Sequence, residues 1–451
     1  MSEHKEQFQK IGLGILIGLL TFALSFSIFN TAQASLLGLI AFLVTLWTNE
    51  GLPLAVVSLL PIVLFPAFSI IDTKATAVNY SHPIIFLFLG GFLLAIAVEK
   101  TNLHTYIADK MLGLFPNTPR GIIFSLAITS GTLSSILSNT TTTLLLISIA
   151  LFITEDVKLK LRFALAIAYG ASVGGIMTPI GTPPNLILLG IMEDKGMEII
   201  PFFQWVWMVA PLAIVMFIVV SWILSLGVNN TPIERDLEPK VLDVPQKKVL
   251  LIMGGLIFLL LLNAPMKPFW GGLGLSEAGI LLGAGLLLFI PPFSILDWME
   301  DKDNIPYRIM FLFGAGFSIA KAFSATGLAD EVASYLIVMT ELSPIILLFA
   351  VASLITFTTE ITSNTALISI MLPVIYAVAE QTGINTTLFM MVATLCASYA
   401  FMLPIATPPN AIAMSSGAVN VKSMIRYGIV LNLAGIFCIV MIAEFFWKGI
   451  L

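Results

Sequence analysis

The chain contains 451 residues, of which 58% are hydrophobic and only 10% are charged, and its formal net charge is −5 at pH 7. Soluble domains carry charged side chains at roughly a quarter of their positions, so this composition excludes a large soluble protein. Several apolar runs are long enough to span the ~30 Å hydrocarbon core of a bilayer. The sequence therefore predicts an all-α polytopic membrane protein.

Apolar runs between charged or Pro/Gly breaks predict eleven membrane crossings and two re-entrant hairpins. The crossings are expected near residues 11–30, 33–48, 52–70, 83–98, 162–192, 202–226, 247–263, 277–291, 307–321, 385–416 and 424–447. The segments 119–153 and 343–378 each place two short apolar arms around a Ser-Asn-Thr sequence, which indicates a re-entrant hairpin rather than a full span. No small-residue cleavage site follows the first apolar run, so a cleavable signal peptide is not expected.

The basic residues predict the orientation of these segments. With the N-terminus in the cytoplasm and the C-terminus outside, 16 of the 21 Lys and Arg residues fall in cytoplasmic segments. Lys and Arg concentrate in cytoplasmic loops, so the count favours this orientation over its inverse. The longest polar linker, residues 228–248, is then expected in the cytoplasm, where it divides the chain into halves.

The two halves share three motifs. The motif "FLFLGGF" at 86–92 is similar to "FLFGAGF" at 311–317. Ser-Asn-Thr occurs at 138–140 and 363–365, and Thr-Pro-Pro-Asn occurs at 182–185 and 407–410. In all three cases the two copies are 225 positions apart. Three matches with the same offset of 225 positions indicate an internal duplication. Each repeat contains five predicted crossings, an odd number, so the copies are expected to have inverted topologies, as in secondary transporters.

The Ser-Asn-Thr copies fall at the predicted hairpin tips. A helix that begins within the membrane leaves backbone N–H groups unpaired, and these groups attract anions. Ser, Asn and Thr side chains can cap such a helix and also offer hydrogen bonds to a ligand. The alternative is that they only bond back to the backbone or join helices. Two copies at equivalent positions favour ligand binding.

The Thr-Pro-Pro-Asn copies interrupt two long apolar segments. Proline lacks an N–H donor, blocks the hydrogen bond of the preceding turn and pushes the residue before it away from helical geometry. Residues 181–184 and 406–409 are therefore expected to be unwound. The freed carbonyl groups, together with Thr hydroxyls, can coordinate a hard cation such as Na⁺. A simple proline kink is the alternative.

Ionisable residues within the apolar segments are few, and two of them are candidates for function. Lys321 lies near the end of a predicted span, where its amine is expected to reach the outer interface. Glu360 lies three residues before Ser363, and the sequence leaves open whether it supports the hairpin or takes part in ion coupling.

The histidines and cysteines suggest no metal site. His4, His82 and His104 are expected in terminal or loop regions, and Cys396 and Cys438 as small core residues. Motifs of ATPases, kinases, hydrolases and zinc enzymes are absent from the sequence. An intramembrane enzyme or a receptor is therefore disfavoured relative to a transporter.

The paired Ser-Asn-Thr motifs, the paired Thr-Pro-Pro-Asn motifs and "IIFLFLGGF" at 84–92 resemble the divalent anion:sodium symporter (DASS) family over nearly the whole chain. The resemblance implies a homodimer in the cell membrane, surrounded by lipid and without a nucleic-acid partner, whose transport domains move like elevators. The implied scaffold parts are residues 1–118 and, with the linker, 227–342. The implied transport parts are residues 119–226 and 343–451.

The resemblance also implies site residues. Those that hold the substrate carboxylates are Ser138, Asn139, Thr140, Ser363, Asn364, Thr365, Thr407 and Pro408. Those that hold Na⁺, the coupling ion, are Ser134, Ser138, Asn139 and Gly181 in one set and Thr359, Thr362, Asn364 and Ala406 in the other. The expected function is Na⁺-coupled transport of a C4 dicarboxylate such as succinate, fumarate or malate. The alternatives are Na⁺-independent dicarboxylate exchange and symport of citrate, tartrate or sulfate.

Overall fold

The computed structural model describes residues 2–233, 241–265, 269–336 and 343–451, and these residues form α-helices and short 3₁₀ turns without a β-strand. The first half contains α1 (Ser2–Ser25), α2 (Thr31–Asn49), α3 (Leu54–Ala67), α4 (Thr73–Val78), α5 (Pro83–Lys100), α6 (Leu103–Leu112), α7 (Pro119–Ser134), α8 (Asn139–Phe152), α9 (Val157–Gly175), α10 (Pro183–Asp194) and α11 (Phe202–Ser225). The second half contains α12 (Val244–Asn263), α13 (Glu277–Leu287), α14 (Trp298–Asp301), α15 (Tyr307–Ala325), α16 (Leu328–Leu336), α17 (Pro344–Thr359), α18 (Asn364–Thr382), α19 (Thr386–Ser398), α20 (Pro408–Ser415) and α21 (Val421–Phe445).

Eight helical segments in the described part of the chain are long and apolar enough to cross a membrane. They are His4–Ser25, Thr31–Asn49, Thr73–Lys100, Phe202–Ser225, Val244–Asn263, Tyr307–Ala325, Asn364–Thr382 and Val421–Gly449. Five shorter apolar helices accompany them, namely α3, α8, α13, α17 and α19. The predicted all-α, multi-pass membrane fold is thus confirmed, whereas the eleven crossings and the inverted repeats stay predictions.

Both predicted hairpins consist of two helices separated by a four-residue break. Residues 135–138 separate α7 from α8, and residues 360–363 separate α17 from α18, at the same offset of 225. In each hairpin the serine of the motif is the N-cap of the second helix, a position that serine favours because its side chain can accept a hydrogen bond from the first turn. Helix α18 continues beyond the predicted limit of 378 to Thr382, and the next residue, Gly383, adopts the left-handed conformation with φ of 69°.

Both long apolar segments with Pro-Pro are interrupted, and the breaks include residues 181–182 and 406–407 as predicted but end before the prolines. The unwound residues are 176–182 and 399–407, so the prediction that the prolines themselves are unwound is wrong. The prolines instead occupy the first turns of α10 and α20, where the missing N–H costs no hydrogen bond. The threonine before each Pro-Pro is extended, with φ of −148° at Thr182 and −142° at Thr407, as the following ring requires.

The helices of the two halves pack crosswise around these breaks. Helix α10 of the first half packs on α18, and α20 of the second half packs on α8 and α9. Within the first half, α7 and α9 approach so closely that a Cβ atom on Gly174 would collide with the backbone of Gly131. Small residues allow such close helix contacts in membrane proteins. The crosswise packing brings both hairpin tips and both unwound segments to one place.

Candidate functional site

A cavity of about 300 Å³ lies where the two hairpin tips meet the two unwound segments. It is lined by all eight residues that were predicted to hold substrate, namely Ser138, Asn139, Thr140, Ser363, Asn364, Thr365, Thr407 and Pro408. These residues come from sequence positions up to 270 apart, and the crosswise packing of the halves brings them together. Their binding roles remain predictions, but their common location is a feature of the fold.

Four helices begin at this cavity. Their first residues, Asn139 of α8, Pro183 of α10, Asn364 of α18 and Pro408 of α20, all line it. The N-terminal end of a helix carries a partial positive charge of roughly half an elementary charge and unpaired N–H groups. None of the described residues that line the cavity is itself charged. The site can therefore attract an anion through backbone dipoles, but it lacks a formal positive charge.

Part of the cavity wall is apolar and was not predicted. Phe88 and Phe92 of α5 line it, with ring centroids 4.1 Å apart and nearly perpendicular planes, together with Leu54 of α3 and Ile309 and Leu312 of α15. Such a wall limits the size of a ligand and keeps water away from the polar tips. Phe88, Phe92 and Leu312 belong to the repeated Phe/Gly motifs at 86–92 and 311–317, which in the sequence indicate only the duplication.

Three of the four residues in the first predicted cation set line the cavity, namely Ser138, Asn139 and Gly181, and the fourth, Ser134, contacts one of them. The Ser134 hydroxyl donates a hydrogen bond to the amide oxygen of Asn139. Gly181 packs against Gly175, and a Cβ atom on Gly181 would collide with the Gly175 carbonyl oxygen. A Cβ atom on Gly175 would in turn lie 2.9 Å from the Asn139 amide oxygen. Glycine at both positions therefore permits the close approach of tip and unwound segment.

The second predicted cation set is brought together only in part. Asn364 and Ala406 line the cavity, and the Asn364 amide oxygen accepts a 2.7 Å hydrogen bond from the N–H of Thr365. Thr359 and Thr362 are not among the lining residues. The Thr359 hydroxyl donates to the carbonyl oxygen of Ala397 at 2.8 Å, and the Thr362 hydroxyl donates to that of Thr358 at 3.0 Å.

Glu360 holds the second unwound segment. Glu360 is buried, with 3% of the residue's surface exposed. Its carboxylate accepts hydrogen bonds from the N–H groups of Met402 and Leu403 at 2.9 Å each. The Asn432 amide donates a third bond at 2.6 Å. Of the two roles left open by the sequence, these contacts favour support of the fold. Lys321 is exposed and does not line the cavity.

Two asparagines that the sequence analysis did not select tie the unwound segments to the helices that follow. The Asn185 amide donates to the carbonyl oxygen of Thr178 at 2.9 Å. The Asn410 amide donates to the carbonyl oxygens of Ala400 at 2.9 Å and Leu403 at 3.0 Å. Both residues are fully buried. Their position at the end of each Thr-Pro-Pro-Asn copy could have identified them from the sequence, because an amide there can donate hydrogen bonds to carbonyl groups that the helix break leaves unpaired.

The hydrogen bonds of Asn185 and Asn410 predict that the two asparagines contribute unequally to the stability of the protein. We expect Asn410→Ala to destabilise the protein more than Asn185→Ala, because it leaves two carbonyl groups unpaired instead of one, at about 1–3 kcal/mol for each buried group. Thermal unfolding of the purified protein in detergent measures the difference. Asn229→Ala, at an exposed residue, is the control. Equal effects of the Asn185 and Asn410 variants would contradict the expectation.

The prediction of loop positions holds for His82, which lies between two helical segments as the N-cap of α5, but is wrong for His104, which lies within α6. Both side chains are buried. His82 Nε2 lies 3.4 Å from a carboxylate oxygen of Asp194. Cys396 is buried and Cys438 is half-buried, and both are free thiols. The described residues contain no group of three or more His, Cys, Asp or Glu side chains arranged for a metal ion.

The sequence is similar to those of known transporters. A family model described as "Citrate transporter" (CitMHS) matches residues 42–394. The sodium-dependent dicarboxylate transporter SdcS of Staphylococcus saprophyticus is 31% identical over 96% of this chain and 91% of its own length. SdcS of Staphylococcus aureus strain USA300 is also 31% identical, over 96% of this chain and 90% of its own length.

Two solved structures resemble the fold. The YdaH transporter of Alcanivorax borkumensis has a TM-score of 0.60 at 16% identity, over 83% of this chain and 88% of that one. MtrF of Neisseria gonorrhoeae, from a class of antimetabolite efflux pumps, has a TM-score of 0.60 at 14% identity, over 82% of each chain. At such identities the likeness concerns the fold alone.

The long apolar helices and the similarity to transporters over nearly the whole chain define a multi-pass membrane transporter. The family match spans most of the chain and the relatives are similar over nearly all of it. The chain belongs to the CitMHS family of citrate transporters, which are of the DASS type, and the resemblance drawn from the motifs is confirmed.

Proposed function

We propose that the chain is a Na⁺-coupled symporter of C4 dicarboxylates such as succinate, fumarate and malate. The observation that carries the proposal is the cavity at which four helix N-termini meet and which no charged side chain among the described residues lines. Similarity to proteins named sodium-dependent dicarboxylate transporters supports both the substrate class and the ion.

A dianion with two separated carboxylates matches a cavity with two equivalent polar tips. In the proposed arrangement, Ser138, Asn139 and Thr140 hold one carboxylate, and Ser363, Asn364 and Thr365 hold the other. Thr407 and Pro408 contribute the start of α20. Hydrogen bonds from neutral donors to an ionised group contribute about 1.5–3 kcal/mol each, which favours the anion without fixing a permanent charge.

The missing positive charge is the reason for coupling to a cation. Two Na⁺ ions beside the tips would balance the two negative charges of the substrate. Each ligand would then bind more tightly in the presence of the other, and this reciprocal coupling is the basis of symport. The proposed Na⁺ ligands are Ser134, Ser138, Asn139 and Gly181 for one ion, and Thr359, Thr362, Asn364 and Ala406 for the other.

We further propose that the polar part of the site moves across the membrane against the apolar wall. Residues 119–226 and 343–451 form the moving part, and residues 1–118 and 227–342 form the scaffold of a homodimer in the cell membrane. The contacts of α10 with α18 and of α20 with α8 support the assignment of the moving part, because each contact joins a hairpin helix of one half to a helix of the other half. The N-terminus is proposed to be cytoplasmic and the C-terminus extracytoplasmic.

Uptake by proteoliposomes tests the proposed function. An inward Na⁺ gradient is expected to drive accumulation of labelled succinate, and replacement of Na⁺ by choline is expected to abolish it. Proteoliposomes preloaded with unlabelled succinate provide the comparison, because an exchanger needs internal substrate but no Na⁺. Exchange that is independent of Na⁺, without net uptake under a Na⁺ gradient, would refute symport and establish the exchanger.

Citrate is the second candidate substrate, because the matching family model is described as a citrate transporter. Unlabelled citrate, tartrate and sulfate are therefore added in turn as competitors of labelled succinate. We expect fumarate and malate to compete most strongly, since they share the length and charge of succinate. Stronger competition by citrate than by fumarate or malate would identify citrate, and not a C4 dicarboxylate, as the preferred substrate.

A further inference from the structure

Ser398 lines the cavity, yet the proposed arrangement of substrate and Na⁺ leaves its hydroxyl group unused. The residue is 4% exposed, and its Oγ atom is buried without a hydrogen-bond partner among the described residues. A buried hydroxyl group that lacks a partner costs free energy, and the large majority of such groups in proteins are paired. An unpaired hydroxyl group beside a binding cavity therefore indicates that a ligand supplies its partner.

The chain around Ser398 is held in place on both sides. The carbonyl oxygen of Ala397 accepts a 2.8 Å hydrogen bond from the Thr359 hydroxyl. The carbonyl oxygen of Ala400 accepts a 2.9 Å hydrogen bond from the Asn410 amide. The Ser398 hydroxyl group thus stands on a backbone whose position is fixed, while its own hydrogen-bonding capacity is unused. A binding group held in this way loses little conformational entropy when its ligand arrives.

Ser398 is the last residue of α19, and this position favours a cation over an anion. The C-terminal end of a helix carries a partial negative charge on its carbonyl groups, and cations are stabilised there. The four helices that begin at the cavity offer the opposite, partial positive charge. Of the two charged ligands in the proposed function, Na⁺ matches the end of α19 and the dicarboxylate matches the four helix starts.

The burial of the Ser398 Oγ atom also favours Na⁺. The atom is buried from water although the residue lines the cavity. A Na⁺ ion without its hydration shell is smaller than a water molecule, whereas a carboxylate group is larger. Hard cations bind oxygen atoms, and a hydroxyl oxygen with two lone pairs can serve as such a ligand.

The two hairpins differ in the hydroxyl groups that they direct to the cavity. In the first hairpin, the Ser134 hydroxyl is hydrogen-bonded to Asn139, which lines the cavity. In the second hairpin, the equivalent hydroxyl of Thr359 is donated to a carbonyl oxygen of α19, and Thr359 does not line the cavity. The position equivalent to Ser398 in the first half, 225 residues earlier, is Val173. The hydroxyl group that is missing from one position of the second half is thus present at another.

We propose that Ser398 is a ligand of the Na⁺ ion beside the second hairpin, together with Asn364 and the carbonyl oxygen of Ala406. The inference rests on the proposed function and adds to its second cation set a residue of α19, which lies outside the hairpin. All three residues line the same cavity. An ion held by them joins the hairpin tip to both ends of the unwound segment 399–407, and this segment presents Thr407 to the substrate.

Ser398→Ala tests the assignment, because it removes the hydroxyl group and little else. Binding of Na⁺ alone is measured as thermal stabilisation of the purified protein, with choline as the replacement ion and no substrate present. We expect the half-saturating Na⁺ concentration to rise about tenfold, the effect of removing one polar partner of a charged group. The KM for succinate at saturating Na⁺ is expected to stay within about twofold. A higher KM with unchanged binding of Na⁺ would overturn the inference and make Ser398 a substrate ligand.

Ser221→Ala is the matched control. Ser221 is fully buried on α11, and its hydroxyl group also lacks a partner among the described residues, but the residue does not line the cavity. We expect the half-saturating Na⁺ concentration of this variant to equal that of the wild-type protein. Equal shifts in Ser221→Ala and Ser398→Ala would overturn the inference, because a buried serine would then act through the fold alone.

Ser398→Cys keeps the size of the side chain and covers the case in which Ser398→Ala does not fold. A thiol is a softer and weaker ligand for Na⁺ than a hydroxyl group, so we expect the half-saturating Na⁺ concentration to rise in this variant as well. Normal Na⁺ affinity in Ser398→Ala or Ser398→Cys would overturn the inference while leaving Na⁺ coupling intact. A wild-type protein that is not stabilised by Na⁺ would instead refute the proposed function itself.

Discussion

Replacement of Glu360 by alanine is expected to abolish transport and to lower the free energy of unfolding by about 3–5 kcal/mol, because buried donors that lose their acceptor each cost about 1–3 kcal/mol. The N–H groups of Met402 and Leu403 and the amide of Asn432 would all lose the carboxylate that they share. Met402 and Leu403 belong to the unwound segment 399–407, whose shape places Ala406 and Thr407 at the cavity. We therefore expect Glu360→Ala to lose transport even if the variant protein still folds.

Thermal unfolding in detergent and succinate uptake by proteoliposomes measure the two effects. Glu360→Gln is expected to be intermediate, because one amide oxygen still accepts while the NH₂ group faces a donor. Glu380→Ala removes an exposed carboxylate from α18 and is the control. If Glu360→Ala were as stable and active as this control, the supporting role would be refuted.

Asn139→Ala and Asn364→Ala are each expected to weaken the apparent affinity for succinate about 10- to 100-fold, because a hydrogen bond to a charged group contributes about 1.5–3 kcal/mol. Both residues are at the starts of helices that line the cavity. Asn139→Ala also removes the partner of the Ser134 hydroxyl, so we expect it to raise the half-saturating Na⁺ concentration as well.

Uptake of labelled succinate with and without a Na⁺ gradient checks both variants, and Asn229→Ala at an exposed residue is the control. Correct insertion is verified separately by the yield of protein that remains monodisperse in detergent. Unchanged affinity and transport in both asparagine variants would remove the central part of the proposed site.

The sequence was most informative where polarity and chain breaks coincide. A Ser-Asn-Thr sequence within apolar residues has few structural explanations, and its second copy 225 positions later points to the same hairpin feature. Both tips do line one cavity. Composition alone predicts the all-α, multi-pass fold, because the apolar segments are too long and too numerous for a soluble protein. These predictions depend on side-chain type, which a sequence displays directly.

Other features depend on backbone geometry or distant partners, and the sequence does not display them. The helix breaks lie before the Pro-Pro pairs, because proline suits the first turn of a helix as well as it disrupts the interior. Glu360 is recognisable as an unusual buried charge, but its acceptor role requires N–H groups that lie 42 and 43 positions later. Similarly, Phe88 and Phe92 are recognisable as repeated aromatic residues, but their contact with the cavity follows from the packing of α5.

The crosswise packing of the two halves also has a consequence for biosynthesis. The tip at Ser138 is translated 225 residues before the tip at Ser363. At about 5–20 residues per second, the ribosome needs about 10–45 s to supply that interval. Throughout this time α8 and α9 lack α20, the helix against which they pack in the finished protein. The first hairpin is therefore incomplete during this interval, and a chain released before α20 would leave α8 and α9 without that partner.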